Sequence, residues 1–531
     1  MSRPRRALPP ARAPPDVPDS SPVSAPSESY EVTGPLDPAA VAEALAPAFG
    51  LHAEAPVRHA RTYLDTFDGR LHGPGLTLVH EGGELVLADT AQQTVARERW
   101  PRVPKLLLVT DLPAGPLADA LAGPVEMRAL QPLVRLSSRE QLLRVLDGEE
   151  KTVVRLRIET PVLEGGARLP THLHVVPVRG YEKQAAKVLR RLEAALDLTP
   201  AAGSIADDAV RAAGGTPGGV SSSPKVPLAA DDTAAVAAAR VSSRLLEVIE
   251  ANLPGTLADL DTEYLHDFRV AVRRTRSLQR ELRGAFPGDA LREARARFKR
   301  LQAVTGDTRD LDVYLLDFED FAAHLPEARR PDLEPLRRLL RRRRAAALRR
   351  MRRELRTEET AATLADWRTL LAAMTAGEAG GPDADVPLLT IASARIRTVH
   401  RQMVKAGSAI GDDTPAEALH DLRKKGKELR YLLEFFAPLY PAVVIKPLVS
   451  SLKALQDTLG RFQDREVQAE LVASLAADVH KMDDATSALM AMGLLVEGLH
   501  EQQRAARDEF ATRFAAFAAP GQGAIVKETF A

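Results

Sequence analysis

The phrase LHDFRVAVRRTRSLQREL at 265–282 returns as LHDLRKKGKELRYLLEFF at 419–436. A chain that writes one phrase twice, without gaps, must build two related units, and no other feature constrains its fold as strongly. At the single offset of 154 residues His266 falls on His420, Asp267 on Asp421, Arg269 on Arg423 and Arg276 on Arg430. Arg273 meets Lys427, which keeps the charge. The register continues through Pro287 and Pro441, Lys299 and Lys453, Gln302 and Gln456, Gly306 and Gly460, Asp310 and Asp464. From 265 to 310, 12 of 46 aligned positions are identical, too many and too ordered for chance.

At about 100° per residue, His266, Arg269, Arg273, Arg276 and Arg280 fall within one quadrant of a helix. Leu265, Phe268, Val272, Leu278 and Leu282 take the other side. The second copy sets His420, Arg423, Lys427 and Arg430 against Leu419, Leu422, Leu429, Leu432, Leu433 and Phe436. Arg274 and Lys424 stand beside these ladders. A basic stripe on an amphipathic helix is ordinarily its solvated face. Here the stripe is rebuilt in a copy whose apolar residues have changed. Few acidic partners at i,i+4 neutralise it, Glu434 in place of Arg280 being the exception. Facing rows of cations are costly unless an anion lies between them. The expectation is an anion site. Asp267 and Asp421, in the first turn, suit the helix dipole and read as structural.

At 531 residues the chain exceeds one core, so two or more domains are expected. Lys+Arg and Asp+Glu balance at 72 each, so segregation of charge is informative where net charge is not: 337–356 holds eleven Arg against Glu354 alone. The absence of cysteine removes thiolate metal sites, disulfides and cysteine nucleophiles. No apolar run reaches the roughly 18 residues a membrane helix needs. The arginines of MSRPRRALPPARAPPDVPDS lack an apolar stretch behind them, so no secretion signal is read and a cytoplasmic protein is expected. Aromatics are 4% of the chain, which argues against recognition of single-stranded nucleic acid by stacking.

Composition divides the chain. Residues 1–27 read as a disordered tail. Residues 28–199 read as an α+β domain with a mainly antiparallel sheet. Its strands are expected near 61–71, 76–82, 84–90, 104–112, 127–138, 152–160 and 171–178, with a closing helix at 179–196. Residues 200–232, rich in Gly, Pro, Ser and Ala, read as a linker. Residues 233–518 are an all-α domain of two pseudo-symmetric bundles, about 233–376 and 387–517, with a tail at 519–531. Helix breaks are expected at Pro254-Gly255, Pro287-Gly288, Gly306-Asp307, Pro326, Gly380-Gly381-Pro382 and Gly411, and between 459 and 463.

The paired HDxRxxxRxxR phrases, each followed by a helix running into LQAVTGDTRDLD or LQDTLGRFQDRE, resemble the CHAD domain, the conserved histidine α-helical domain, over about 233–515. The resemblance implies two pseudo-symmetric helical bundles whose basic faces line a shared groove or pore, and binding of inorganic polyphosphate, with members found at polyphosphate granules. By position it carries a binding role onto His266, Arg269, Arg273 and Arg276, onto His420, Arg423, Lys427 and Arg430, and onto Lys299 and Lys453. Arg274 and Lys424 are added as their neighbours. The chemistry agrees, since arginine offers forks to phosphate oxygens and lysine a point charge. The histidines offer hydrogen bonds that protonation would strengthen as pH falls.

The N-terminal domain resembles a CYTH domain of the triphosphate-tunnel kind, on YEVTGP, TYLDTFDGRLHGPGLTL and the order of strands. That family implies Glu-x-Glu-x-Lys on the first strand, where carboxylates hold a divalent metal. Glu31 fits the first position, but Thr33 and Pro35 stand at the others, and Val79, His80 and Glu81 stand where arginines belong. Arg70, Lys151, Arg155, Arg157 and Glu159 remain as tunnel charges. No catalytic residue, metal or cofactor is therefore expected. His172 and His174 alternate on one strand, but no carboxylate cluster is seen nearby to complete a metal site. Asp307, Asp310 and Asp312 read as helix caps. The expected function is non-catalytic binding of polyphosphate. The alternatives are a metal-dependent triphosphatase or polyphosphatase in the N-terminal domain, or a general polyanion scaffold contacting nucleic acid through 337–356.

Overall fold

The computed structural model describes residues 28–531 apart from 33, 35, 92, 223 and 412. The tail read at 1–27, and Thr33 and Pro35, lie outside the described residues. The chain divides into two compact units. The first runs to Pro124 and resumes over Leu130–Gly219; the second comprises Val125–Ala129 and Val220–Ala531.

The first unit is built on one antiparallel sheet. In chain order its elements are β1 (Glu28–Val32), α1 (Pro38–Leu45), β2 (Gly50–Ala53), β3 (Val57–Asp65), β4 (Thr77–Glu81), β5 (Glu84–Ala88) and β6 (Thr94–Arg99). They continue with α2 (Pro116–Val125), β7 (Gln131–Leu146), β8 (Thr152–Leu163), β9 (Thr171–Pro177), α3 (Glu182–Ala195), β10 (Leu198–Pro200) and α4 (Ile205–Ala212). The strands are ordered β10-β1-β9-β8-β7-β3-β4-β5-β6, with β2 also pairing β7. Tyr30, Val32, Leu143, Leu156 and Leu173 form a core with α1 and α3.

Several expectations are corrected here. Residues 104–112 form no strand; Pro101, Pro104 and Pro113 bracket them, and only Leu107 bridges, to Leu130. β6 escaped notice because a single residue of its alternation, Ala96, is buried. The segment read as a linker holds α4, capped by Ser204, whose Ile205 and Ala209 pack on Val134 and Leu136. Val226, also in that segment, is buried in the helical core of the second unit.

The second unit is helical: α5 (Ala234–Ala258), α6 (Thr262–Glu281), α7 (Gly288–Val304), α8 (Gly306–Leu316), α9 (Phe318–Ala323), α10 (Glu334–Leu355) and α11 (Glu358–Thr375). Then follow α12 (Leu388–Gly407), α13 (Ala416–Phe436), α14 (Ala442–Ser474), α15 (Ala476–Val479), α16 (Ala485–Phe517) and α17 (Pro520–Thr529). α5 packs on α6 as α12 packs on α13. The two copies meet where the repeat register says they should. Ala234 N–H donates to the Val386 carbonyl at 2.9 Å, and Leu388 N–H donates to the Asp232 carbonyl at 2.8 Å. Residues 234 and 388, and 232 and 386, are each 154 apart, so the bonds form a reciprocal pair about a pseudo-twofold axis.

Three helix boundaries differ from expectation. α5 continues through Pro254 and closes at Asp259, in the left-handed region at φ 57, whose N–H reaches the Gly255 carbonyl. The first copy breaks at Thr305, whose hydroxyl bonds back to the carbonyls of Leu301 and Gln302, at 3.0 and 3.2 Å. The second copy has Leu459 there, with no hydroxyl to divert the backbone, and α14 runs unbroken through Gly460. The C-terminal segment read as a tail is α17, held by buried Val526 and by Phe530, whose ring meets Tyr440 edge-on at 4.7 Å.

Gly255 is fixed by packing, since a Cβ there would lie 2.1 Å from the Tyr264 ring. Gly255→Ala gains helix propensity, worth about 1 kcal/mol, but overpacks this contact, which typically costs ~1–3 kcal/mol. Thermal unfolding of the variant is expected to show a lower Tm; a raised Tm would contradict the packing account.

Candidate functional site

α6 begins under the side chain of Asp261, which accepts from Glu263 N–H at 2.8 Å and Tyr264 N–H at 3.1 Å. Its apolar face, Leu265, Phe268, Ala271, Val272 and Leu278, is buried in the core, as are Leu419, Leu422, Leu429, Leu432 and Leu433 of α13. With both apolar faces so committed, the two basic faces are left to line the same space. Arg273 makes the link across it: its Nε donates to Tyr431 Oη at 2.7 Å.

That space is a cavity of about 1240 Å³, lined from α6 by His266, Arg273 and Arg274, and from α13 and α14 by Arg423, Lys427, Arg430 and Lys453. Arg273 and Lys427 also border an adjoining cavity of about 410 Å³. There Arg276, Arg280, Arg295, Lys299 and Lys424 join them, and the only carboxylate of the lining is Glu428. A third space of about 980 Å³ shares His266, Arg273, Arg423 and Arg461 with the first, and adds Arg269, Arg309 and Arg465. Eleven of the twelve site residues expected from the sequence thus border three cavities that share lining residues. His420 lines none of the three; its Nε2 lies 2.7 Å from a Glu466 carboxylate oxygen, beside Phe462.

The ladder residues are held in distinct ways. Arg269 donates through Nη1 to the Gln302 carbonyl and to Thr305 Oγ1, both at 2.9 Å. Arg423, its copy, donates to Gln463 Oε1 at 2.9 Å and Asp464 Oδ1 at 3.0 Å. Gly306 and Gly460 lie under these two guanidinium groups, so the repeated glycine and aspartate of each copy belong to the arginine's seat. Arg430 is braced by Glu434 at 2.6 Å and Lys424 by Asp421 at 2.9 Å. Arg274 is buried, with its guanidinium 5.1 Å from the Phe435 ring centre. Burial, with Arg309 and Arg273 near, pushes His266 down to about 4, so near neutral pH it meets a ligand as a neutral imidazole rather than a cation. Lys299, Lys427 and Lys453 have no hydrogen bond or ion pair among the described residues.

Asp267, read as a structural residue suited to the helix dipole, has a side-chain partner and also borders the cavity of about 1240 Å³. It is buried, and Arg128, 2% exposed, donates to it at 2.7 Å. The aspartates read as caps are instead ion-pair partners. Asp312 accepts from Arg344 at 2.7 Å, Asp307 from Arg350 at 3.2 Å, and Asp310 faces Arg269. Sequence reasoning missed Arg309, Arg461, Arg465 and Tyr431. Their counterparts at the repeat offset are Gln463, Asp307, Leu311 and Ser277, so the repetition carried no trace of them.

The polar face of the first unit's sheet is closed on itself. Arg61, absent from the expected tunnel charges, donates to Glu159, to Glu81 at 3.0 Å and to Glu140 at 3.3 Å. Of the expected tunnel charges, Lys151 and Arg70 lie in turns, bound to Glu149 at 2.7 Å and Asp68 at 2.9 Å, and Arg155 is exposed. The structure does bring carboxylates to His172: ligand atoms of Glu31, His172 and Asp208 lie within 4.8 Å of one another. Asp208 comes from α4, in the segment read as a linker, which is why the sequence did not show it. Asp208 is engaged by His172 Nε2 and Arg211 Nη1, both at 2.9 Å, and Glu31 by Ala202 N–H at 3.1 Å. No helix among the described residues is long and apolar enough to cross a membrane.

The family model of the CHAD domain matches residues 240–473. Among solved structures, the chain is similar to the CHAD domain from the plant Ricinus communis, with 23% identity and a TM-score of 0.48 over 56% of this chain and 96% of that one. It is also similar to PptA from Streptomyces chartreusis, with 16% identity and a TM-score of 0.42 over 53% of this chain and 99% of that one. No curated protein matches.

Burial, with Arg423 and Arg273 alongside, pulls the Lys427 ammonium down to about 8. Above that pH the empty cavity has lost the proton, and a bound anion, which favours the charged form, must take it back. The contribution of Lys427 to tripolyphosphate affinity is expected to be full below about pH 8 and to fall by up to about tenfold per unit above it. Lys427→Arg flattens the profile, because a guanidinium stays charged. Calorimetric titration across this range reads both affinity and proton uptake; a wild-type affinity unchanged to about pH 9 would contradict the assignment.

Proposed function

We propose that this chain, whose residues 240–473 carry a CHAD domain, binds inorganic polyphosphate between its two basic helices and does not cleave it. The observation that carries this reading is that His266, Arg273, Arg423, Lys427, Arg430 and Lys453, drawn from both copies of the repeat, line one cavity. A linear polymer with roughly one charge per phosphate is matched by a row of guanidinium and ammonium groups, and its flexibility suits a winding cavity. The few aromatic residues leave bases little to stack on, which favours a polymer without bases. Support for the non-catalytic half comes from the first unit, where Arg61 is spent on three carboxylates of its own sheet. On this reading the protein works where polyphosphate is stored, at cytoplasmic granules.

Lys299 and Lys453 give the cleanest test, being exposed, repeat-related and without ion pairs among the described residues. In the intact chain, Lys299→Glu with Lys453→Glu is expected to weaken long-chain polyphosphate binding by at least about tenfold, or ~1.4 kcal/mol, with an unchanged melting temperature. Wild-type binding should fall steeply with salt, by roughly 0.7 log units per log of salt for each phosphate contacted. Undiminished affinity in the double variant would refute the cavity as the site. Phosphate release dependent on Mg²⁺ would refute the non-catalytic reading.

A further inference from the structure

The arginine-rich helix α10 is only partly absorbed by the fold. Arg344 is tied to Asp259 at 2.6 Å and to Asp312 at 2.7 Å, Arg352 to the Leu257 carbonyl at 2.7 Å, and Arg337 to Glu319 at 2.7 Å. These hold α10 against α5, α8 and α9. A different set points outward. Arg338, Arg342, Arg349, Arg353 and Arg356 are all exposed. Their spacing confines them to an arc of about 60°, and they extend over about 27 Å of helix axis.

Nothing among the described residues neutralises this stripe. The side chains of Arg338, Arg342, Arg349 and Arg356 have no hydrogen bond or ion pair there, and that of Arg353 reaches only Glu354, at 3.8 Å. Glu354 is itself held by Arg300 at 3.1 Å, and Glu359 by the same arginine at 2.8 Å. From Arg338 onward no large apolar side chain shares the arc, so it lacks the anchor that a membrane surface requires. Its neighbouring flank, with Arg343, Ala346 and Arg350, lines the cavity that also holds Arg269, Arg273 and Arg423. The stripe therefore runs beside the wall that α10 gives to the cavity.

We infer that the outer face of α10 is a second binding segment for the same polyanion, along which a long polyphosphate chain continues after leaving the cavity. The inference rests on the proposed function and adds that the site is longer than the cavity, so that long chains reach cations which short ones cannot. Five guanidinium groups in line suit an extended phosphate chain, each offering a fork to successive oxygens.

The test compares tripolyphosphate with long-chain polyphosphate, over a range of salt, on the full chain and on the variant Arg338→Gln, Arg342→Gln, Arg349→Gln. Tripolyphosphate binding is expected to stay within about twofold, which also shows that the variant is folded. Long-chain affinity should fall by at least about tenfold at low salt, and its salt slope should shrink by about 2, for three phosphates that the variant no longer neutralises. Unchanged long-chain affinity and slope, with tripolyphosphate bound normally, would overturn the inference while leaving the cavity reading intact. A wild-type chain that binds neither polymer would overturn both. If duplex DNA of matched charge binds the wild type more tightly than long-chain polyphosphate and is the ligand whose binding the variant loses, the stripe serves nucleic acid and the inference fails.

Discussion

Like charge facing like charge across a shared cavity is the condition that the helical unit is built to tolerate. Two guanidinium groups a few ångströms apart repel by several kcal/mol at the effective dielectric of a protein surface, so hydrogen bonds that seat individual members help such rows persist. The seats are visible. Arg269 is tied to the Gln302 carbonyl and Thr305, Arg423 to Gln463 and Asp464, and Arg273 to Tyr431. The neutral acceptors fix the nitrogens of Arg269 and Arg273 without cancelling their charge, while Asp464 offsets Arg423. On the proposed function, the repulsion that remains in the cavity is relieved by the bound anion.

The pseudo-twofold arrangement brings the two rows together, and its imperfections give them different roles. The reciprocal hydrogen bonds from Ala234 to Val386 and from Leu388 to Asp232 join the copies at the start of α5 and α12. Beyond that junction the symmetry loosens. Tyr431 bonds Arg273, but the residue at Tyr431's place in the first copy is Ser277, too short to do the same for Lys427. Lys427 is therefore left half-buried beside Arg423 and Arg273, with Asp464 offsetting them only in part. That, with its burial, lowers its pKa to about 8. Thr305 against Leu459 is a second broken pair, and it divides α7 from α8 while α14 remains whole.

What the sequence made legible follows the repeat. A feature written twice, such as the ladder or the LQ, Gly and Asp that follow it, could be read before any coordinates, and the structure gives those glycines and aspartates a seat beside Arg269 and Arg423. Features written once were missed. Arg309, Arg461 and Tyr431 reach the site from positions whose counterparts have lost the chemistry. Composition misled where tertiary packing decided: the Gly- and Ala-rich stretch after 200 contains α4 because Ile205 and Ala209 bury against β7, and the last residues form α17 because Phe530 finds Tyr440. Arg128 could not have been foreseen. Its partner, Asp267, lies 139 residues away in the chain.

The central claim is that both copies of the repeat hold one polymer in one cavity. The most direct measurement is an experimental structure of the intact chain bound to polyphosphate. The account predicts phosphate density within hydrogen-bonding reach of Arg273, Arg423 and Lys427 together, continuous from one basic helix to the other. Density confined to the surface, with that cavity left to solvent, would contradict it.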